Sequence, residues 1–356
     1  MLSRAICREA TKQIHGSLNG AALLAGRRAL TVPATFYYLE NRDEYKTVKP
    51  YHINLPTRAF PGGLQSNEVS IPYYNVPVTG MRGMVDQFQL DRNGFQVMNE
   101  DARGPNSLID CVEEAGYDDE HLLRRKVGPA VEDFLKRKIP EAEDAIAFSH
   151  QVRKRDQQFP KLPRGTDAAT PQPVQGVHID MTPDSARVEI HDTLRNRGYP
   201  DISKRRWAII SIWRPLFGPL QDWPLALMDY TSFDNRRDLV ASDNIYLHKI
   251  RETFNVLWSE SHQWYFLEDQ QPDEVFVFKT FDSYAHQGHA RACPHAAFQN
   301  PLAPAMARPR WSFECLTVVL WPEGTARNGP YDEALPSESL SKSLSTLLAE
   351  MSGGTE

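Results

Sequence analysis

The sequence predicts a mainly β fold with added α-helix, a β-sandwich or barrel such as a jelly roll, and three observations predict it. Six short strand patterns follow one another between Trp207 and Trp321, separated by turn residues. A helical preface with 3.6-residue periodicity precedes them. No apolar run is long enough to span a bilayer, and a chain of 356 residues that is 41% hydrophobic can bury its own core, as one large domain or two small ones.

From Phe36 to about Gly104, β-rich pieces such as Thr35 to Leu39 and Val69 to Val76 alternate with Pro and Gly, a strand-and-loop entry to the core. Leu122, Leu123, Val127, Val131, Phe134 and Leu135 mark a helix over Glu120 to Lys138, in which Pro129 predicts a kink or a restart. A second helix is expected over Glu143 to Arg155, packed beside the first. The connection from Asp156 to Gly176 then leads into the strand-rich half. Its one helix is expected over Pro183 to Arg197, with Thr182 as N-cap, Pro183 in the first turn and Gly198 as the stop. Strands are expected at Trp207 to Trp213, Leu225 to Asp229, Gln263 to Leu267, Glu274 to Phe281, Ala292 to Phe298 and Trp311 to Trp321. From Leu335 the tail is rich in Ser and Leu, with a short helix at Leu340 to Met351 or a fraying end, and there is no internal repeat.

A net charge of -6 gives no overall attraction to nucleic acid or to an anionic membrane, which leaves a small molecule or a protein as partner. Cys7, Cys111, Cys293 and Cys315 form no C-x-x-C pair, so neither a thiolate zinc site nor a disulfide scaffold is indicated, and a reducing, cytoplasmic compartment follows. Residues 1–34 carry Arg4, Arg8, Lys12, Arg27 and Arg28 against a single acid, Glu9. That composition suits a mitochondrial presequence, and equally a disordered extension.

Candidate chemistry begins at Val177-His178-Ile179-Asp180, because residues i and i+2 of an extended segment point the same way and His178 and Asp180 can grip one metal. Chance alone gives about 1.4 such His-x-acid triplets in a chain with 11 His and 46 acids, so the one present here could be an exposed polar strand end. His295, in the short apolar segment Cys293 to Phe298, reads alone as a hydrogen-bonded core histidine. With His178 and Asp180 it completes a two-His, one-carboxylate facial triad that leaves three octahedral positions open. A structural zinc would want a closed tetrahedral shell with sulfur, so the set favours redox iron.

Arg310 and Ser312, in the only Arg-x-Ser of the sequence, share one face at the start of a strand and can hold a carboxylate near the metal, or simply edge the strand in solvent. Arg214 continues the apolar face of Ala208, Ile210 and Ile212, either into a cavity that binds an anion or past the strand end into solvent. Trp258, Trp264, Tyr265, Phe266, Phe276 and Phe278 either line an apolar substrate pocket or belong to the core.

The blocks Trp213-Arg214-Pro215-Leu216, Pro224-Leu225-Ala226, Asp238-Leu239-Val240, Pro272-Asp273-Glu274-Val275, Lys279-Thr280-Phe281-Asp282-Ser283 and Pro294-His295-Ala296-Ala297-Phe298 occur in order. With Tyr37-Tyr38-Leu39 and Asp91-Arg92-Asn93-Gly94-Phe95 before them, they resemble the fungal hydroxylase/desaturase family, which includes gibberellin desaturase and cephamycin methoxylase-related proteins. The resemblance covers roughly residues 35–322. It implies a double-stranded β-helix core over about 170–322 with N-terminal helices packed against it, inside one oxygenase domain over 35–330 that is followed by a tail over 331–356. It also implies iron(II), 2-oxoglutarate and O2 as cofactors, and hydroxylation or desaturation of a secondary metabolite. The metal motif falls on His178, Asp180 and His295, and the late Pro-Arg-x-Ser block on Arg310 and Ser312. Trp311 and Ser211 depart from the family pattern, which bears on substrate fit rather than on iron. The residues favour a small, mostly apolar substrate, no nucleic-acid or membrane partner, and an assembly compatible with a homodimer. The rival functions are a metal-dependent lyase or isomerase using the same triad without 2-oxoglutarate, and a metal-free β-sandwich binding protein.

Overall fold

The computed structural model describes residues 29–55, 65–104, 107–115, 120–161, 170–195, 197–199, 201–247, 249–284 and 288–326. In chain order the elements are β1 (Thr31–Leu39), β2 (Tyr51–Ile53), β3 (Ser70–Gly80), α1 (Leu90–Asn93), β4 (Phe95–Asn99), α2 (Leu108–Ala115), α3 (Glu120–Lys138) and β5 (Asp144–Lys154). They continue with β6 (His178–Ile179), α4 (Pro183–Leu194), β7 (Arg205–Pro215), β8 (Leu225–Met228), β9 (Leu239–Ile245), β10 (Ile250–Val256), β11 (Trp264–Phe266), β12 (Glu274–Asp282), β13 (His295–Ala297) and β14 (Trp311–Glu323). The strands form a nine-stranded sheet, β1-β3-β11-β8-β13-β6-β10-β9-β2, and a five-stranded sheet, β4-β12-β7-β14-β5. This is the predicted jelly-roll type of architecture, with its helical preface. No helix among the described residues is long and apolar enough to cross a membrane.

Side-chain alternation divides the core. In the nine-stranded sheet Val177, Ile179, Ala226, Met228, Ala296 and Phe298 turn to one face and pack with Phe36, Tyr38 and Trp264. Bridges from Tyr37 to Gly176 and from Leu39 to Leu257 bring β1 back onto this face, so the sheet curls around that cluster. The intervening residues, His178, Leu225, Leu227 and His295, therefore turn the other way, toward the five-stranded sheet. In the five-stranded sheet Ala208, Ile210, Ile212, Phe313 and Cys315 pack outward against Val127, Val131, Phe134 and Leu135 of α3.

Several expectations need correction. Residues 144–154, expected as helix, form β5, which pairs with β14 from Trp311↔Lys154 to Leu320↔Asp144. Ala145 and Ile146 are buried on opposite faces, which erases the period-two signal of a strand, and a long antiparallel pairing outweighs local propensity. α3 is one helix through Pro129, not two pieces, since packing on the sheet offsets the hydrogen bond that the proline cannot donate. β1 begins at Thr31, inside the segment assigned to the extension, because Thr31 to Ala34 pair with Val76 to Thr79 and bury Val32 and Ala34. α4 starts as expected, with Thr182 Oγ1 accepting from the Ser185 amide at 3.3 Å, and ends at Leu194, ahead of Gly198 with φ +80°. The extension before residue 29 and the tail helix at Leu340 to Met351 lie outside the described residues.

Candidate metal centre

β6 and β13 are neighbours, and their register sets His178 directly opposite His295. Asp180 follows two residues after His178, on the same face. Both His Nε2 atoms lie 3.6 Å from Asp180 Oδ1, and one ligand atom from each of the three residues fits within 4.8 Å of the others. The approach is oriented by second partners. His178 Nδ1–H donates to the Gly176 carbonyl at 2.8 Å and His295 Nδ1–H to the Cys293 carbonyl at 3.1 Å, which leaves the Nε2 lone pairs pointing inward. Thr280 and Ser211 hydroxyls donate to Asp180 Oδ2 at 3.1 and 3.4 Å, so Oδ1 is the oxygen left for a metal.

The protonation states suit ligation. Burial pushes the His295 pKa down to about 4, so its imidazole is neutral. Burial would raise the Asp180 carboxyl, but the His295 and His178 imidazoles beside it and the hydrogen bond from Thr280 hold it well below the usual carboxylate range. His178 is raised, burial being outweighed by the Asp180 carboxylate beside it and the Gly176 carbonyl, so a metal there takes the place of a proton. Two neutral-capable imidazoles and one carboxylate, with no sulfur, fit a hexacoordinate iron(II) with open positions better than a closed zinc.

Arg310 and Ser312 are buried on the inner face of β14, and Arg310 lines a recess together with His178, Asp180 and His295. The Arg310 guanidinium gives one hydrogen bond to the Trp223 carbonyl at 2.9 Å and stands 5.3 Å from the Trp213 ring. Its Nε and the Ser312 hydroxyl have no partner among the described residues. Burial, then the charge of Arg153, push the Arg310 pKa down to about 9, an environment that favours an anion beside it. Trp223, with φ +47°, adopts the left-handed backbone region that a bulky side chain rarely takes, as it presents that carbonyl.

Arg214 is not brought to the site. It is buried, which removes the solvent reading, yet it follows Ile212 on the face of β7 turned away from Ser211 and Trp213. Of the two departures, Ser211 touches the Asp180 carboxylate, and Trp311 packs on the helix side under Lys154. Trp264, Phe266, Phe276 and Phe278 are core residues, and Trp258 and Tyr265 pack against the same clusters.

The cavity in front of the triad, about 710 Å³, is polar instead: Glu68, Arg251, Thr253 and Asn255 face Gln151, Arg153 and Glu314 across it. Arg251, Thr253 and Asn255 are the alternate residues of β10 whose intervening Phe254 and Val256 enter the curled core. Sequence reasoning missed this wall and Arg153, although the polar alternation Ser149, Gln151, Arg153 carries the signal. A bulge in the β5–β14 pairing reverses the alternation of β5, so inward Ile146 and Phe148 give way to inward Ser149, Gln151 and Arg153.

Residues 36–320 match the model of a family described as an oxidoreductase/YMDC permease-like domain. An Fe(II)/2-oxoglutarate-dependent dioxygenase of Aspergillus novofumigatus is 30% identical over 267 residues, covering 73% of this chain and 87% of that protein. A hydroxylase/desaturase of Hormonema carpetanum is 29% identical, covering 69% of this chain and 83% of that one. Among solved structures, the iron and alpha-ketoglutarate-dependent endoperoxidase NvfI matches with a TM-score of 0.69 at 26% identity, over 85% of this chain and all of that one.

Proposed function

This chain belongs to the family of fungal Fe(II)/2-oxoglutarate-dependent dioxygenases and hydroxylase/desaturases, and from that premise we propose that His178, Asp180 and His295 hold its iron(II) while Arg310 and Ser312 hold the far carboxylate of 2-oxoglutarate. The observation that carries the assignment is the convergence of two tautomer-fixed imidazoles on one free carboxylate oxygen. Bound there with O2, iron(II) supplies oxidation of a substrate C–H bond coupled to conversion of 2-oxoglutarate to succinate and CO2.

The protein's own part is positioning. The Gly176 and Cys293 carbonyls accept from Nδ1 of the two rings and so turn both Nε2 atoms inward, and Thr280 and Ser211 hold Asp180 to one orientation. The substrate is a small secondary metabolite with several hydrogen-bonding groups, because the chamber walls offer Glu68, Thr253, Asn255 and Gln151, with Tyr246 as the one Phe, Tyr or Trp among the described lining residues. A core shared between the two sheets, in which Leu225 and Leu227 meet Trp213, Phe276 and Phe278, supports one oxygenase domain over 35–330 that β1 extends back to Thr31, and buried Cys293 and Cys315, in no disulfide among the described residues, support a cytoplasmic location.

Anaerobic addition of 2-oxoglutarate to the iron(II) protein tests the reading. A metal-to-ligand charge-transfer absorbance is expected, and its absence at full iron occupancy would overturn the oxygenase assignment.

A further inference from the structure

Arg153 stands where the chamber meets the recess, lining both together with His178, Asp180 and Glu314. Its Nη1 donates to the Gln172 carbonyl at 3.0 Å. Its Nε is 3.8 Å from Glu314 Oε2, beyond a hydrogen bond, and neither Nε nor Nη2 donates to any atom of the described residues. The guanidinium is therefore anchored at one corner, and the rest of its fork has no bonded partner among the described residues.

Across the recess its charge opposes that of Arg310. Two guanidiniums line one recess whose acidic groups, among the described residues, are Asp180 and Glu314, and burial pushes the Glu314 carboxyl up toward its neutral form. With a divalent metal added, at least two positive charges are left over, enough to complement a dianion. The recess beside Arg310 has room for about 30 Å³, roughly one water molecule, so a five-carbon diacid cannot lie wholly within it. The acid must extend from Arg310 to the boundary, where Arg153 waits.

Building on the proposed co-substrate site, we propose that Arg153 is its second guanidinium, holding the oxo-acid end near the metal while Arg310 holds the far carboxylate. Arg153 is then a wall shared by co-substrate and substrate.

The experiment is the anaerobic titration of iron(II) protein with a dianion, 2-oxoglutarate, and with a monoanion that lacks the far carboxylate, 2-oxobutyrate, followed by charge-transfer absorbance. Arg153→Gln is expected to raise the Kd of both acids roughly tenfold or more, whereas Arg310→Gln raises that of 2-oxoglutarate alone. Arg153→Lys, which keeps the charge and protects folding, is expected to weaken both acids by about three- to tenfold for loss of the fork. Unchanged Kd values in both Arg153 variants overturn the inference, and so does a loss confined to 2-oxoglutarate, which would place Arg153 at the far carboxylate. A wild type that binds neither acid removes the oxygenase reading itself, whereas a wild type that titrates normally beside unaffected Arg153 variants removes this inference alone.

Discussion

His178, Asp180 and His295 meet with no basic side chain bonded to them among the described residues, whereas Asp91, Asp282 and His289 meet around two. In the second group the buried Lys279 ammonium reaches Asp91 Oδ1 and Asp282 Oδ2, each at 2.7 Å, and His289 Nε2 at 3.0 Å. The Arg206 guanidinium adds contacts to Asp91 at 2.7 Å and Asp282 at 2.6 Å. Both groups have spacing that a metal could use, but in the second two cations already match two carboxylates, and a third positive centre would meet repulsion. The first has one carboxylate, two imidazoles turned inward by carbonyls, and a cavity in front. Proximity of ligand-type atoms is thus a weak criterion for a metal site; what fills the space between them decides.

The largest difference should come from the carboxylates themselves. Asp180→Ala is expected to abolish stoichiometric iron(II) binding with little change in melting temperature, and His178→Ala and His295→Ala should do the same, by metal analysis of the purified variants. Full iron occupancy in any of the three would break the comparison.

Asp282→Asn should do the reverse, keeping iron while destabilising the fold by about 3–5 kcal/mol, because Lys279 and Arg206 lose a buried counter-charge. Burial would raise the Asp282 carboxyl, but Lys279, then His289 and Arg206, hold it far below the ordinary range. A depressed carboxyl stabilises the fold above its unfolded pKa of about 4, and that contribution is lost as pH falls through the folded value. The stability gap between wild type and Asp282→Asn, from denaturant unfolding, should hold steady from about pH 7 to 5 and narrow below about pH 4. A gap that closes near neutrality would show that Asp282 is not held as an anion.

A smaller effect separates the sites by ligand. Arg310→Ala should lose a charge-assisted bidentate contact of about 1.5–3 kcal/mol, weakening 2-oxoglutarate roughly ten- to hundredfold while iron stays bound. Arg310→Lys should recover only part, since an ammonium lacks the planar fork. No substitution around Asp282 should alter that titration.

The candidate metal centre is legible in the sequence because its parts are local: His178-x-Asp180 needs only strand alternation, and His295 and Arg310-x-Ser312 stand in distinct short segments. The six later strands are legible for the same reason. Arg153 is hidden because β5 buries both faces at one end and is reset by a bulge, and both depend on β14, some 160 residues away. The polar chamber is hidden too. Apolar periodicity reports the curled core that Trp264 and Phe254 enter, not the opposite face where Thr253 and Asn255 meet residues from β3, β5 and β14. Arg214 shows the converse error, since an apolar stripe marks a buried face without saying which core it enters.

The finest cut between the two clusters lies within one strand, where Lys279 and Thr280 are adjacent and serve different groups. Lys279 points into the ion cluster, and Thr280 donates to Asp180 Oδ2 at 3.1 Å. Thr280→Val keeps the shape and removes only the hydroxyl, so Asp180 retains the longer Ser211 bond at 3.4 Å and gains freedom to rotate. Loss of such a ligand-orienting partner should weaken iron(II) about tenfold. The fold should lose no more than about 1 kcal/mol, the ordinary net contribution of one hydrogen bond. Competition with a chelator of known affinity measures the first quantity and chemical denaturation of the metal-free protein the second. An iron affinity equal to wild type, with stability reduced by several kcal/mol, would place Thr280 in the structural network with Lys279 and remove it from the support of the metal carboxylate.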